Sequence, residues 1–196
     1  MQKNRLEAFS DGVLAIIITI MVLEMKVPHG VDWQTLKELQ WVFLSYVLSF
    51  VYVGICWNNH HHLFHSAGHV TGGILWANLH LLFWLSLFPF VTGWMGENTF
   101  SALPTAVYGG VLFMAAVAYY VLQLTIIAQQ GRDGVLATAV GRDWKGKISP
   151  VCILVGILIS FVTPILSHVL YVVVALLWLV PDRRIERRLA ATPPGE

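Results

Sequence analysis

The sequence predicts an all-α, polytopic membrane protein of six transmembrane helices with both termini in the cytoplasm. Three observations carry that prediction. Hydrophobic residues make up 57% of the 196 positions and charged residues only 12%, about half the charged share of a soluble domain; such a chain cannot cover its surface with polar groups and must be solvated by lipid. Its charges are segregated, because residues 39–96, 98–131 and 148–181 contain no Asp, Glu, Lys or Arg. The basic residues also sort to one side of the predicted spans, as the preference of Lys and Arg for short cytoplasmic loops requires.

A spanning helix needs about 20 mostly apolar residues. The first runs over about residues 5–25 and is ended by Pro28 and Gly30. A secretory leader would begin similarly, but Glu7 and Asp11 interrupt the stretch and no small-residue cleavage site follows, so it is read as mature structure. The second covers about 39–57, the third 73–92 and the fourth 102–128. The fifth covers about 148–166 and the sixth, a short one, 168–180, with Pro164 at their break and Pro181 after the last. With this count Lys3, Arg5, Arg132, Arg142, Lys145, Lys147, Arg183, Arg184, Arg187 and Arg188 share one side, ten of the twelve basic residues, and only Lys26 and Lys37 lie opposite. Trp33, Trp41, Trp57, Trp94, Trp144 and Trp178 fall near span ends, where amphipathic rings settle. Residues 1–182 therefore read as one transmembrane domain and 183–196 as a basic, partly disordered cytoplasmic tail. The arginines of that tail serve either as a topology anchor or to attract anionic lipid. Cys56 and Cys152 sit inside apolar runs and read as small buried hydrophobes.

Helices two to six carry no permanent charge. A proton-coupled carrier places titrating carboxylates at mid-membrane, and an intramembrane hydrolase needs a nucleophile, base or metal set; neither is evident, whereas a passive pore needs only a lining and a constriction. The exception is the start of helix one, Arg5-Leu6-Glu7-Ala8-Phe9-Ser10-Asp11-Gly12. Glu7 suits the positive end of the helix dipole. Asp11 lies seven residues in from Asn4, about 10 Å along the helix, where a carboxylate must find donors or water, and Gly12 permits close helix approach. Beyond it Ile16, Thr19, Ile20 and Leu23 share one helical face, although in a wholly apolar run any stripe can be drawn.

Five histidines, His60, His61, His62, His65 and His69, cluster after helix two. They fit polar packing at the membrane edge, a pH-sensing role or, at spacing i, i+4, a metal grip that no nearby Cys, Asp or Glu completes. His80 stands inside helix three; a buried imidazole needs partners, and the expectation is an interhelical hydrogen bond to Ser10 or Asp11, with Asn78 on a different face. Thr92-Gly93-Trp94-Met95-Gly96 faintly echoes a potassium filter loop but lacks its pattern and a preceding pore helix, so a turn after helix three is expected there.

The string Arg5-x-x-x-Phe9-Ser10-Asp11-Gly12, followed by Val13-Leu14-Ala15-Ile16-Ile17-Ile18-Thr19, resembles the signature of the transmembrane protein 175 family, which includes the lysosomal potassium channel of animals and shorter bacterial relatives. Trp57-Asn58-Asn59-His60-His61, Trp76-Ala77-Asn78-Leu79 and Pro89-Phe90 extend the resemblance along the chain. It implies a potassium-selective cation channel without a re-entrant filter loop, built as a homotetramer of six-helix subunits in the plasma membrane. Its partners would be itself, lipid and monovalent cations, with potassium the permeating ion, no cofactor, no metal, no catalytic residue and no nucleic acid. By position the resemblance makes Ile16 the narrowest point of a pore lined by helix one, with Thr19 beside it and Ile20 and Leu23 forming further apolar layers. It assigns Arg5, Ser10 and Asp11, with Phe9 and Gly12 of the same signature, to holding that helix against its neighbours. The competing readings are a proton- or cation-coupled secondary transporter and a non-conducting membrane assembly protein.

Overall fold

Lipid offers no hydrogen bonds, so a chain that crosses it must satisfy its backbone within each segment. The computed structural model, which describes residues 3–67, 69–130 and 144–179, does this with helices throughout and no strand among the described residues. They are α1 (Lys3–Leu23), α2 (Trp33–Glu38), α3 (Gln40–Ser66), α4 (Gly72–Ser86), α5 (Phe88–Glu97), α6 (Ala102–Gln130), α7 (Trp144–Ile159) and α8 (Pro164–Leu179). The tail 183–196 and the loop arginines Arg132 and Arg142 lie outside the described residues.

Among the described residues four segments are long and apolar enough to cross a membrane: Lys3–Leu23, Gln40–His65, Gly72–Glu97 and Ala102–Gln130. The third is not one continuous helix. Pro89 has no N–H to give to the carbonyl one turn back, so the ladder breaks at Leu87 and resumes as α5. The helix that the sequence ends near residue 92 thereby runs on to Glu97, and Thr92-Gly93-Trp94-Met95-Gly96 is helical rather than a turn, with Thr92, Met95 and Gly96 buried. Helix α3 likewise runs nine residues past Trp57, which puts His60, His61, His62 and His65 on helix. Near the chain's end the break falls at residues 160–163 rather than at Pro164, which instead opens α8, where its missing N–H costs nothing. Helices α7 and α8 have 16 residues each, about 24 Å of helix.

The short α2 occupies what the sequence leaves as a loop. Asp32 caps it: its Oδ1 accepts the Thr35 hydroxyl at 2.6 Å and the Thr35 N–H at 2.8 Å, and these bonds hold the carboxyl below its ordinary range. Lys26 and Glu97 pair at 2.7 Å where α1 and α5 end; both are solvent-exposed, so the pair adds little.

Helix α1 packs on α3, α4 and α5; α4 packs on α6, α6 on α7, α7 on α8, and α8 returns to α3. Tyr171 of α8 is wholly buried where α6, α7 and α8 meet, and two glycines make its space. A Cβ on Gly156 would lie 2.6 Å from the ring, and one on Gly109 would overlap its hydroxyl. Gly156→Ala is expected to lower the thermal unfolding midpoint in detergent, at a cost of about 1–3 kcal/mol for an overpacked site. Gly110→Ala, whose Cβ meets open space, is expected to leave it unchanged; equal midpoints for the two variants would contradict the packing.

The outer surface is apolar. Trp76, Phe90, Leu158, Val162 and Ile165 are all more than 60% exposed, tolerable only where the solvent is lipid or another chain.

Candidate pore-lining helix

Helix α1 has two unlike faces. Leu6, Ser10, Leu14, Ile17 and Met21, spaced 4, 4, 3 and 4 residues apart, are buried against the bundle. The opposite side carries Gly12, Ile16, Thr19, Ile20 and Leu23, with Ile16 58%, Ile20 40% and Leu23 78% exposed. In a segment that is apolar all round only packing separates the two faces, and the face left open is the one with the residues marked in the sequence. Thr19 donates its hydroxyl proton back to the carbonyls of Ile16 at 2.9 Å and Ala15 at 3.2 Å, which leaves the oxygen lone pairs available as acceptors on the open side.

Polar contacts hold the N-terminal half of α1. The Ser10 hydroxyl donates to the Leu6 carbonyl at 2.9 Å, so its oxygen can only accept from elsewhere. Asn78 of α4 turns its NH2 to that oxygen at 2.9 Å and its Oδ1 to His60 Nε2 of α3 at 2.8 Å. An amide oxygen only accepts, so His60 Nε2 carries a proton. Ser10, Asn78 and His60 are all buried, and the chain of bonds ties three helices together at one level. Asp11, exposed, accepts from the Trp57 indole of α3 at 3.0 Å, which supplies a donor for the carboxylate. Arg5 and Phe9 are exposed.

His80 is a correction. It does not reach helix one: it is exposed and accepts the indole N–H of Trp84 at 3.0 Å, one turn along its own helix. Two residues are about 200° on a helix, so His80 and Asn78 point to nearly opposite sides, and the inward position next to Ser10 belongs to Asn78. Neither Asn78 nor His60 was singled out for this role from the sequence. No signal in the sequence separates the two: Asn78 is spaced with Ile74, Leu81, Leu82 and Leu85, which are buried on its side, and His80 is spaced in the same way with the apolar Trp76, Phe83, Trp84 and Leu87. The histidine rings of His61 and His65 stand 6.4 Å apart on exposed helix surface.

Deeper in the bundle a second polar chain joins α3, α5 and α6. Ser49 bonds Thr92 at 2.6 Å and donates to Tyr108 at 3.1 Å, while Tyr52 donates to the Tyr171 carbonyl at 2.5 Å. These groups are satisfied by one another, as apolar surroundings demand.

The chain can be set beside known proteins on this geometry. The family model described as endosomal/lysosomal potassium channel TMEM175 matches residues 5–89, the stretch that holds α1, Asn78 and the start of α5. A potassium channel of Chryseobacterium sp. (strain P1-3) is 53% identical over 189 residues, 96% of this chain and 98% of that one. The endosomal/lysosomal proton channel TMEM175 of Gallus gallus is 40% identical over 76 residues, 33% of this chain and 15% of that one. The crystal structure of a lysosomal potassium-selective channel TMEM175 homolog from Chamaesiphon minutus superposes with a TM-score of 0.78 at 26% identity, covering 91% of this chain and 96% of that chain. Near-complete coverage by a relative of this identity, together with the shared fold, leaves one conclusion: this multi-pass membrane protein belongs to the TMEM175 ion-channel family.

Proposed function

We propose that this chain is a subunit of a potassium-selective cation channel, that four copies surround a central pore, and that α1 lines it. The observation that carries the reading is the open face of α1: Ile16, Thr19, Ile20 and Leu23 remain exposed while the other side of the same helix is fully packed. Relatives named as potassium channels support the choice of ion.

Four Ile16 side chains meeting on the axis would form a narrow apolar ring that excludes water and closes the path. A ring of Thr19 oxygens one turn on would offer acceptors to a partly dehydrated cation, and Ile20 and Leu23 would add further apolar layers. Ser10 and Asp11 would fix the N-terminal half of α1 against α4 and α3, so opening would turn or splay the half that carries Ile16. No Asp or Glu occurs in α3, α4, α6, α7 or α8, which argues against a carrier that must load protons at mid-membrane.

The fuller picture is six spans in the plasma membrane, with α7 and α8 as the fifth and sixth, no re-entrant filter loop, both termini cytoplasmic, and residues 183–196 forming a tail beyond the transmembrane domain. A cysteine placed at Gln34, with Cys56 and Cys152 replaced by alanine, is expected to react with an impermeant maleimide from outside intact cells and not from the cytoplasmic side of inverted vesicles. The reverse labelling would overturn the topology.

The channel reading is tested by reconstituting the purified protein into planar bilayers under opposed potassium and sodium gradients. A reversal potential displaced toward that of potassium is expected. Absence of current would favour the assembly-protein reading. Current that follows an imposed proton gradient instead would favour proton permeation, the activity in the name of the Gallus gallus relative.

A further inference from the structure

On the side of the bundle away from α1, a cavity of about 450 Å³ lies between α3, α6, α7 and α8, within the roughly 300–1,000 Å³ range of small-molecule sites. Its floor is apolar and buried: Leu85 and Phe88 at the break between α4 and α5, with Leu112 and Ile153. The exposed members of its lining, Tyr120 and Lys147, mark its mouth, and the side chains of Asn59 and Gln123 also line it. None of these groups takes part in the proposed pore.

We infer that this cavity binds an anionic phospholipid, with one acyl chain on the Leu85–Phe88 floor and the phosphate at Lys147. The argument is complementarity at both ends. The buried floor of Leu85, Phe88, Leu112 and Ile153 offers a hydrocarbon chain apolar contact, and a bundle whose outer surface is apolar is solvated by such chains already. Lys147 stands in the first turn of α7, on the side where the basic residues collect, and a lysine there reaches the headgroup level by extending its stem. Tyr120 and Trp178, also in the lining, are the amphipathic rings that settle at that depth. A zwitterionic lipid satisfies the floor but not the lysine, so the anionic headgroup is the specific element. The occupied site would brace α7 and α8 against α3 and α6. The inference rests on membrane embedding and on the sidedness proposed above, and does not depend on conduction.

The test is lipid retention by the full-length protein. It is purified, stripped with excess detergent, titrated with phosphatidylglycerol or phosphatidylcholine, and read by native mass spectrometry as lipids bound per subunit. One phosphatidylglycerol per subunit is expected to bind in preference to phosphatidylcholine. Lys147→Ala is expected to weaken phosphatidylglycerol about fivefold, the effect of one headgroup-level charge, and to leave phosphatidylcholine unchanged. Ala116→Trp, which fills the cavity wall, is expected to remove the bound lipid of either kind. Lys147 is exposed, so its variant keeps the test sound if the bulky one fails to fold. Equal retention of the two lipids, or phosphatidylglycerol retention untouched by Lys147→Ala, would overturn the proposal; so would a wild-type protein whose cavity takes no lipid because another part of the chain fills it.

Discussion

Ile16→Asn is expected to raise the current at a given voltage about tenfold or more and to weaken the preference for potassium over sodium. In the proposed tetramer a closed ring of four isoleucines would present no partner for water, and each asparagine would add donors and acceptors at the constriction, lowering the cost of a wet path. A gain of tenfold needs only about 1.4 kcal/mol off the barrier, well within what four amide groups can supply. The control must sit on α1 but off the proposed lining face. Ile17 does not serve, because it is 3% exposed and an asparagine there would bury an unpaired amide and unfold the bundle. Val22 serves: it is 41% exposed and lies about 120° around the helix from Ile16. Single-channel recording of both variants decides the matter. If Val22→Asn alters current and selectivity while Ile16→Asn leaves both untouched, the lining face of α1 has been misassigned.

Asn78→Leu is expected to be the most destabilising change among the polar residues around α1. Leucine branches at Cγ as asparagine does, and is bulkier, but has neither its donor nor its acceptor. Its introduction strands the buried Nε2–H of His60, while Ser10 still donates to Leu6. Leaving one buried donor unmet costs about 1–3 kcal/mol. Interhelical bonds in membranes average nearer 0.6 kcal/mol, because the unfolded chain in lipid also finds partners, so the lower half of that range is expected. His80→Leu, by contrast, removes an exposed ring bonded only within its own helix and is expected to be within about 0.5 kcal/mol of wild type. Denaturation in mixed detergent micelles compares the two. A larger loss for His80→Leu would show that His80, rather than Asn78, holds helix one.

The two variants also mark where sequence reasoning stopped. Composition and charge segregation establish a membrane protein without structure, because transfer energy depends on residue type alone. The string from Arg5 to Thr19 identifies the family by itself, and the resemblance, not the periodicity of an apolar run, marks Ile16, Thr19, Ile20 and Leu23, which the fold leaves exposed. Which polar residue of α4 turns inward was not legible. A soluble helix announces its buried side by alternating apolar and polar residues; a helix facing lipid on one side and protein on the other is apolar on both, and the period falls silent. A lone imidazole in an uncharged span reads as the group that needs a buried partner, yet orientation follows from how α4 packs on α1 and α6, which places Asn78 inside and His80 out. The break at Leu87 has a cause visible in sequence, Pro89, but whether a proline ends a helix or only interrupts it depends on what lies beyond. Here the residues after it pack on α3 and extend the helix to Glu97. Tyr171 packs on Gly109, 62 positions earlier, and the cavity above Phe88 joins Tyr52 to Trp178. Contacts at such separation exist only once the helices are docked, and no local pattern in the chain encodes them.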